Sequence, residues 1–176
     1  LRAALALARR GLPVFPCCWP TPDGRCGCGR SHTGGEVGKA PAVDRGLHAA
    51  TTDPATIAKW WGAMPEANIG LRTGRASGLV VLDLDPAKGG EVTLAQLESR
   101  YGRLEPTVEV QTGSGGRHLY FRAPAAPVPC SAGRLGPGLD VRGEGGYVIA
   151  PPSRHASGPR YRWASPPGTP PAAVPP

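Results

Sequence analysis

Between Gly78 and Pro86 the chain reads Leu79-Val80-Val81-Leu82-Asp83-Leu84-Asp85, a continuous apolar run closed by two carboxylates. Successive side chains of a strand point to opposite faces, so a run this apolar needs cover on both sides. Glu91–Tyr101 follows with helical apolar spacing, and the segment therefore reads as a buried strand, a loop and an amphipathic helix. The same alternation puts Asp83 and Asp85 on one face while Leu84 points into the core. Two carboxylates so close repel unless a cation lies between them, and Mg²⁺ is usually held by one or two carboxylates with phosphate oxygens and water. The competing structural reading is that Asp85-Pro86 opens a turn and Asp83 caps it.

A third acid, Asp140, alternates with apolar residues in Gly138-Leu139-Asp140-Val141-Arg142-Gly143. Asp83, Asp85 and Asp140 together are candidate ligands for two Mg²⁺ or Mn²⁺ ions, the arrangement that aligns an attacking hydroxyl, a phosphorus and its leaving group. Arg142 would share the face of Asp140, there to contact a phosphate or to neutralise the carboxylate. The turn Gly113-Ser114-Gly115-Gly116-Arg117-His118 offers unhindered backbone N–H groups, a hydroxyl and two basic side chains, which suits a triphosphate. Ser114, Gly115, Gly116, Arg117, His118 and Arg142 are thus the candidate nucleotide-binding residues. A histidine by itself is more often structural, but His118 stands between this turn and the strand Leu119-Tyr120-Phe121 and is a candidate phosphate donor and catalytic residue.

Elsewhere the pattern predicts a basic amphipathic helix over Leu1–Arg10 ending at Gly11, and a strand over Leu12–Phe15. A helix follows from the N-cap Asp53 through Pro54 to about Gly62. Further strands are expected over Asn68–Thr73, Thr107–Gln111, His118–Arg122, Leu139–Arg142 and Tyr147–Ala150, with an edge strand at Tyr161–Trp163. With 26 Gly and 22 Pro the elements should be short and the loops many. The 20 Lys and Arg exceed the 13 Asp and Glu by a net +7, which favours polyanionic partners. No apolar stretch reaches the length of a membrane-spanning helix and no secretion signal opens the chain, so we expect no membrane partner and a cytoplasmic location. One domain is expected over residues 1–165, and the Pro-rich run 166–176 reads as a stiff connector to a following region.

From Cys17 to Lys39 the apolar pattern dissolves, and something other than burial must order the segment. Four of the five cysteines fall there, as Cys17-Cys18 and Cys26-Gly27-Cys28, with His32 four residues on. Zinc prefers four tetrahedral Cys or His ligands and would close such a loop. We expect a structural zinc insert over residues 17–32 held by Cys17, Cys26, Cys28 and His32, with Cys18 as the alternative to its neighbour. Reduced thiols or a disulfide are the competing readings.

Asp83-x-Asp85, Gly116-x-His118 and Leu139-Asp140 resemble, in order and spacing, the three motifs of the archaeo-eukaryotic primase superfamily. Gly38-Lys39-Ala40-Pro41, Trp60-Trp61, Asn68-Ile69-Gly70, Gly115-Gly116-Arg117-His118-Leu119-Tyr120-Phe121, Gly138-Leu139-Asp140-Val141-Arg142-Gly143 and Gly145-Gly146-Tyr147-Val148-Ile149-Ala150-Pro151-Pro152-Ser153 look like its bifunctional primase-polymerase branch, carried by plasmids, phages and integrated elements. The likeness covers nearly all of Leu1–Trp163, and Gly116 stands where many superfamily members have Ser. It implies an α+β primase-polymerase fold with an RRM-like mixed sheet flanked by helices, acids Asp83, Asp85 and Asp140 on divalent metal, and His118 on the incoming nucleotide. It further implies a DNA template and primer and nucleoside triphosphates as partners, and a helicase region later in the same polypeptide. The rival readings are a two-metal nuclease on the same acids and a non-catalytic, zinc-containing nucleic-acid-binding module.

Overall fold

The structure is a computed structural model that describes residues 1–175, so Pro176, the last residue of the expected connector, lies outside the described residues. In chain order its elements are α1 (Arg2–Arg9), β1 (Val14–Cys17), α2 (Pro54–Ala63), β2 (Asn68–Arg72), β3 (Leu79–Leu84), α3 (Gly90–Tyr101), β4 (Val108–Gln111), β5 (Arg117–Arg122), β6 (Leu139–Arg142), β7 (Tyr147–Ala150), β8 (Arg162–Trp163) and β9 (Ala172–Ala173). Short 3-10 turns join some of them. The fold is α+β, and the chain divides into two compact units, Leu1–Arg72 with Tyr147–Arg162 and Thr73–Gly146 with Trp163–Pro176. No helix among the described residues is long and apolar enough to cross a membrane.

The first unit is built on an antiparallel sheet of order β1-β2-β7. Its helices bury their apolar stripes, Ala4, Leu7 and Ala8 from α1 and Ile57 and Trp61 from α2. α2 starts where its sequence says it should: the Asp53 carboxylate accepts from Thr56 N at 2.8 Å and Pro54 takes the first turn. β1 begins two residues later than the Leu12–Phe15 expectation and includes Pro16 and Cys17, which pair with Ile69 and Asn68. At the head of β2 the buried Asn68 spends its whole amide on two loops. Nδ2 donates to Gly38 O and Arg154 O, and Oδ1 accepts from Arg154 N, each at 2.8 Å.

The second unit carries the run with which the sequence opened. β3 lies between β6 and β5, the sheet order being β6-β3-β5-β4-β8 with β9 also beside β5. Counting β3 to β6 as one to four, the order across the sheet is four, one, three, two, the RRM-like arrangement. Those four strands pair antiparallel, and β9 runs parallel to β5, so the sheet is mixed. α3 is the one α-helix of this unit among the described residues, and the connection from β5 to β6 is irregular. Leu84, Leu94, Leu119, Phe121 and Leu139 form the core beneath α3, with Leu82, Leu97 and Leu104 packed against it.

Residues 1–165, expected as one domain, contain most of both compact units. Within the Pro-rich end β9 pairs with Phe121 and Arg122, Ala172 N donates to Thr107 Oγ1 at 3.0 Å, and Ala172 and Val174 pack against the core. Composition favoured an extended chain, and extended backbone is also what a sheet margin accepts.

Candidate active site and metal centre

The register of the second sheet sets three chemically active side chains in one row. Asp83 of β3 is directly opposite Asp140 of β6 and directly opposite His118 of β5. Alternation turns this row away from the face on which Leu84, Leu119 and Leu139 meet α3. His118 is buried, with Nε2 3.5 Å from Asp83 Oδ1, whereas the two acids keep partial access to solvent. Arg142, two residues along from Asp140, donates from Nη2 to Asp140 Oδ2 at 2.9 Å and to Asp83 Oδ2 at 3.3 Å. The neutralising reading of Arg142 is the one the structure displays. Asp140 Oδ1 also accepts from Gly133 N at 2.9 Å.

Asp85 departs from the row. Its carboxylate accepts from Ala87 N at 3.1 Å, caps the turn Pro86–Lys88 and pairs with Lys88 at 3.2 Å. The turn reading was right about this pair of acids but assigned the cap to the wrong one, since Asp83 caps nothing.

The glycine-rich turn joins β4 to β5 and is closed by Thr112 N donating to Gly116 O at 2.8 Å and Gly115 N to Thr112 O at 3.1 Å. Ser114 and Gly115 are exposed at its tip, and Ser114 Oγ lies 3.0 Å from Thr112 Oγ1. Gly116 lies against the end of β3, where an added Cβ would collide with the Leu84 carbonyl oxygen and come within 3.3 Å of Pro86 Cδ. The turn therefore abuts the acid-bearing strand. Arg117 lies apart from the other candidate nucleotide-binding residues. It pairs with Leu84, so its side chain lies on the α3 face, where its guanidinium forms two bonds with Glu91, at 2.9 and 2.7 Å, and reaches Glu109 at 3.5 Å. The Glu91 bond, with Glu109 nearby, holds the guanidinium above even its ordinary pKa.

In the first unit Cys18, Cys26, Cys28 and His32 converge, one ligand atom from each lying within 4.8 Å of all the others. This group could hold a zinc ion. Here Cys18 and Cys28 are disulfide-bonded, and His32 Nδ1 stands 3.4 Å from Cys18 Sγ and 3.5 Å from Cys28 Sγ. Cys17, the preferred ligand from the sequence, is replaced by its neighbour. Cys17 belongs to β1 and its side chain lies toward Gly70, where an added Cβ would be 2.8 Å from its sulfur, so alternation sends Cys18 the other way. Burial pushes the Cys17 thiol well above the usual range, which disfavours the thiolate a metal needs.

The family model described as bifunctional DNA primase/polymerase, N-terminal (Prim-Pol), matches residues 4–176. The chain belongs to the Prim-Pol family. None of the curated proteins matches it. Membership supports a DNA primase/polymerase type of function, with DNA and nucleotides as substrates.

Divalent cations suit the Prim-Pol carboxylates on the chemistry of the donor set. Asp83 and Asp140 are hard oxygen donors that converge from neighbouring strands and already share one positive group, Arg142. Sequence reasoning missed several supporting residues of this Prim-Pol domain. Thr112 tethers the turn through its hydroxyl and backbone, Glu91 and Glu109 capture Arg117, and Gly90 passes so close to Gly138 that a Cβ on it would strike the Gly138 carbonyl. The last contact docks the start of α3 beside the strand that carries Asp140. Its only signal in the sequence was a pair of unexplained glycines.

Proposed function

We propose that this Prim-Pol domain joins nucleotides on a DNA template by two-metal nucleotidyl transfer, making or extending primers for plasmid, phage or mobile-element replication. The observation that carries the reading is the single cross-sheet row Asp140–Asp83–His118. In the reaction a primer 3′-hydroxyl oxygen bonds to the α-phosphorus of the incoming nucleotide, the bond to the leaving pyrophosphate breaks, and the hydroxyl proton passes to water.

Asp83 and Asp140 hold the cations, with Asp85 joining them when its carboxylate releases Ala87 N and Lys88. A magnesium or manganese ion held there would lower the pKa of the attacking hydroxyl and offset the charge on the leaving pyrophosphate. Arg142, freed from the two acids, turns to a phosphate, as does the buried imidazole of His118. Ser114, Gly115 and Gly116 present the turn's hydroxyl and backbone to the triphosphate. With the Cys18–Cys28 pair reduced to thiolates, Cys18, Cys26, Cys28 and His32 would hold a structural zinc, a reading supported by the convergence of Cys26 and His32 on a sulfur pair that as a disulfide would need neither.

The test is primer extension with labelled nucleotides, a defined template and Mg²⁺ or Mn²⁺. Longer products are expected from the wild type, with losses of several orders of magnitude for Asp83→Asn and for Asp140→Asn. A wild type that shortens the primer, or leaves it unchanged, overturns the assignment.

A further inference from the structure

The chain's charge is divided with complete asymmetry between its units. Leu1–Arg72 with Tyr147–Arg162 carries 12 Lys and Arg against 5 Asp and Glu, a net +7, whereas Thr73–Gly146 with Trp163–Pro176 carries 8 against 8. The whole of the +7 therefore belongs to the unit without the acid row. In the neutral unit the acids are matched by cations, as in Asp85 with Lys88, Glu91 and Glu109 with Arg117, and Asp83 and Asp140 with Arg142. In the basic unit only Asp23 with Arg25 and Asp44 with Arg30 form such pairs among the described residues.

Part of this surplus is concentrated and held in place. Asn68 ties the backbone at Gly38, beside Lys39, to the backbone of Arg154. The Tyr147 hydroxyl donates to Lys39 O at 3.1 Å. Arg154 is bridged across an antiparallel turn to Arg160, whose Nη1 donates to Pro152 O at 2.8 Å. The Lys39 ammonium is close enough to His155 to add to the effect of burial in lowering the imidazole's pKa. Arg154 and Arg160 are exposed, Lys39 is half-buried, and no carboxylate among the described residues pairs with any of them. A backbone tied in this way that displays unneutralised cations is arranged for an external anion, and several such cations in a unit of net charge +7 suit a polyanion better than a lone phosphate.

We propose that Lys39, Arg154 and Arg160 form the surface that grips the sugar–phosphate backbone of the DNA strand, independently of base sequence, with Asn68 as its positioning residue. This rests on the polymerase reading for the identity of the polyanion. Phosphate contacts release counterions, so binding should weaken with salt at a slope of roughly 0.7 per contact on a single strand.

The experiment is fluorescence anisotropy of the full chain with a labelled single-stranded oligonucleotide over a salt series. The triple variant Lys39→Gln, Arg154→Gln, Arg160→Gln should flatten the slope of log affinity against log salt by about 2. Removing equal charge from the other unit, with Arg100→Gln, Arg103→Gln and Arg122→Gln, should leave the slope at the wild-type value. A charge-preserving triple, Lys39→Arg, Arg154→Lys, Arg160→Lys, should retain it as well, which separates lost charge from lost structure. An unchanged slope in the first triple, equal flattening in the second or flattening in the third overturns the surface. Wild type that binds DNA with this pattern yet extends no primer overturns only the polymerase reading, and wild type that extends primers while the first triple keeps its slope overturns only the surface.

Discussion

At the scale of single residues, identical chemistry is sent to different work by where a strand ends. Asp83 and Asp85 have the same side chain and the same strand face in prospect, but β3 ends at Leu84, so Asp83 joins Asp140 and His118 while Asp85 bends away to cap a turn. Arg117 and His118 likewise part to opposite faces. Gly116 illustrates how little room the site leaves, because the atom facing its missing Cβ is the Leu84 carbonyl oxygen, part of a backbone that cannot swing aside. Gly116→Ser, the residue of many superfamily members, is therefore expected to destabilise this chain by about 1–3 kcal/mol. Chemical denaturation of the variant checks it, and an unchanged midpoint would mean that β3 yields at no cost.

Among the elements, the Cys17–Lys39 segment depends on ligands more than on apolar burial. Its interior is small, consisting of Cys18, Cys26 and Val37 with Cys28, Ala40 and Ala42 against them. Closing a loop of that composition needs a stronger tie, and four protein ligands on one zinc supply it. Cys18→Ser should reduce bound zinc to near zero in protein purified without added metal, whereas Cys17→Ser should leave one zinc per chain, both read by elemental analysis. Equal zinc in the two variants would return Cys17 to the ligand set. By contrast, α2 needs no ligand: Asp53, Pro54 and a buried Ile57 and Trp61 define it locally, and sequence and structure agree on its start.

For the molecule as a whole, two candidate sets of metal ligands belong to separate compact units, soft sulfur and imidazole in one and hard carboxylates in the other. Protein stripped with a chelator should regain nucleotide incorporation when Mg²⁺ or Mn²⁺ is added and gain none from Zn²⁺ alone, as measured by primer extension. Recovery with Zn²⁺ alone would place catalysis at the cysteine centre. The charge follows the same division into units, and neither the +7 total nor the order of residues along the chain discloses it, because Tyr147–Arg162 returns to the unit of Leu1–Arg72.

What the sequence determined by itself was whatever a few neighbouring residues enforce: the buried strand Leu79–Leu84, the capped helix at Pro54, Asp83, Asp140 and His118 on strands, and a cysteine-rich loop with the composition of a metal site. Periodicity and capping are local, and they survive without knowledge of the fold. Tertiary structure alone decided which strands pair, and so that Asp140, Asp83 and His118 form one row, that Arg117 meets Glu91 and Glu109, and that Cys18 stands in the cysteine–histidine group in place of Cys17. It also recruited the Pro-rich end as β9. Each of these is a matter of register or of which face is already occupied, and a strand's partners lie too far along the chain for its own residues to name them.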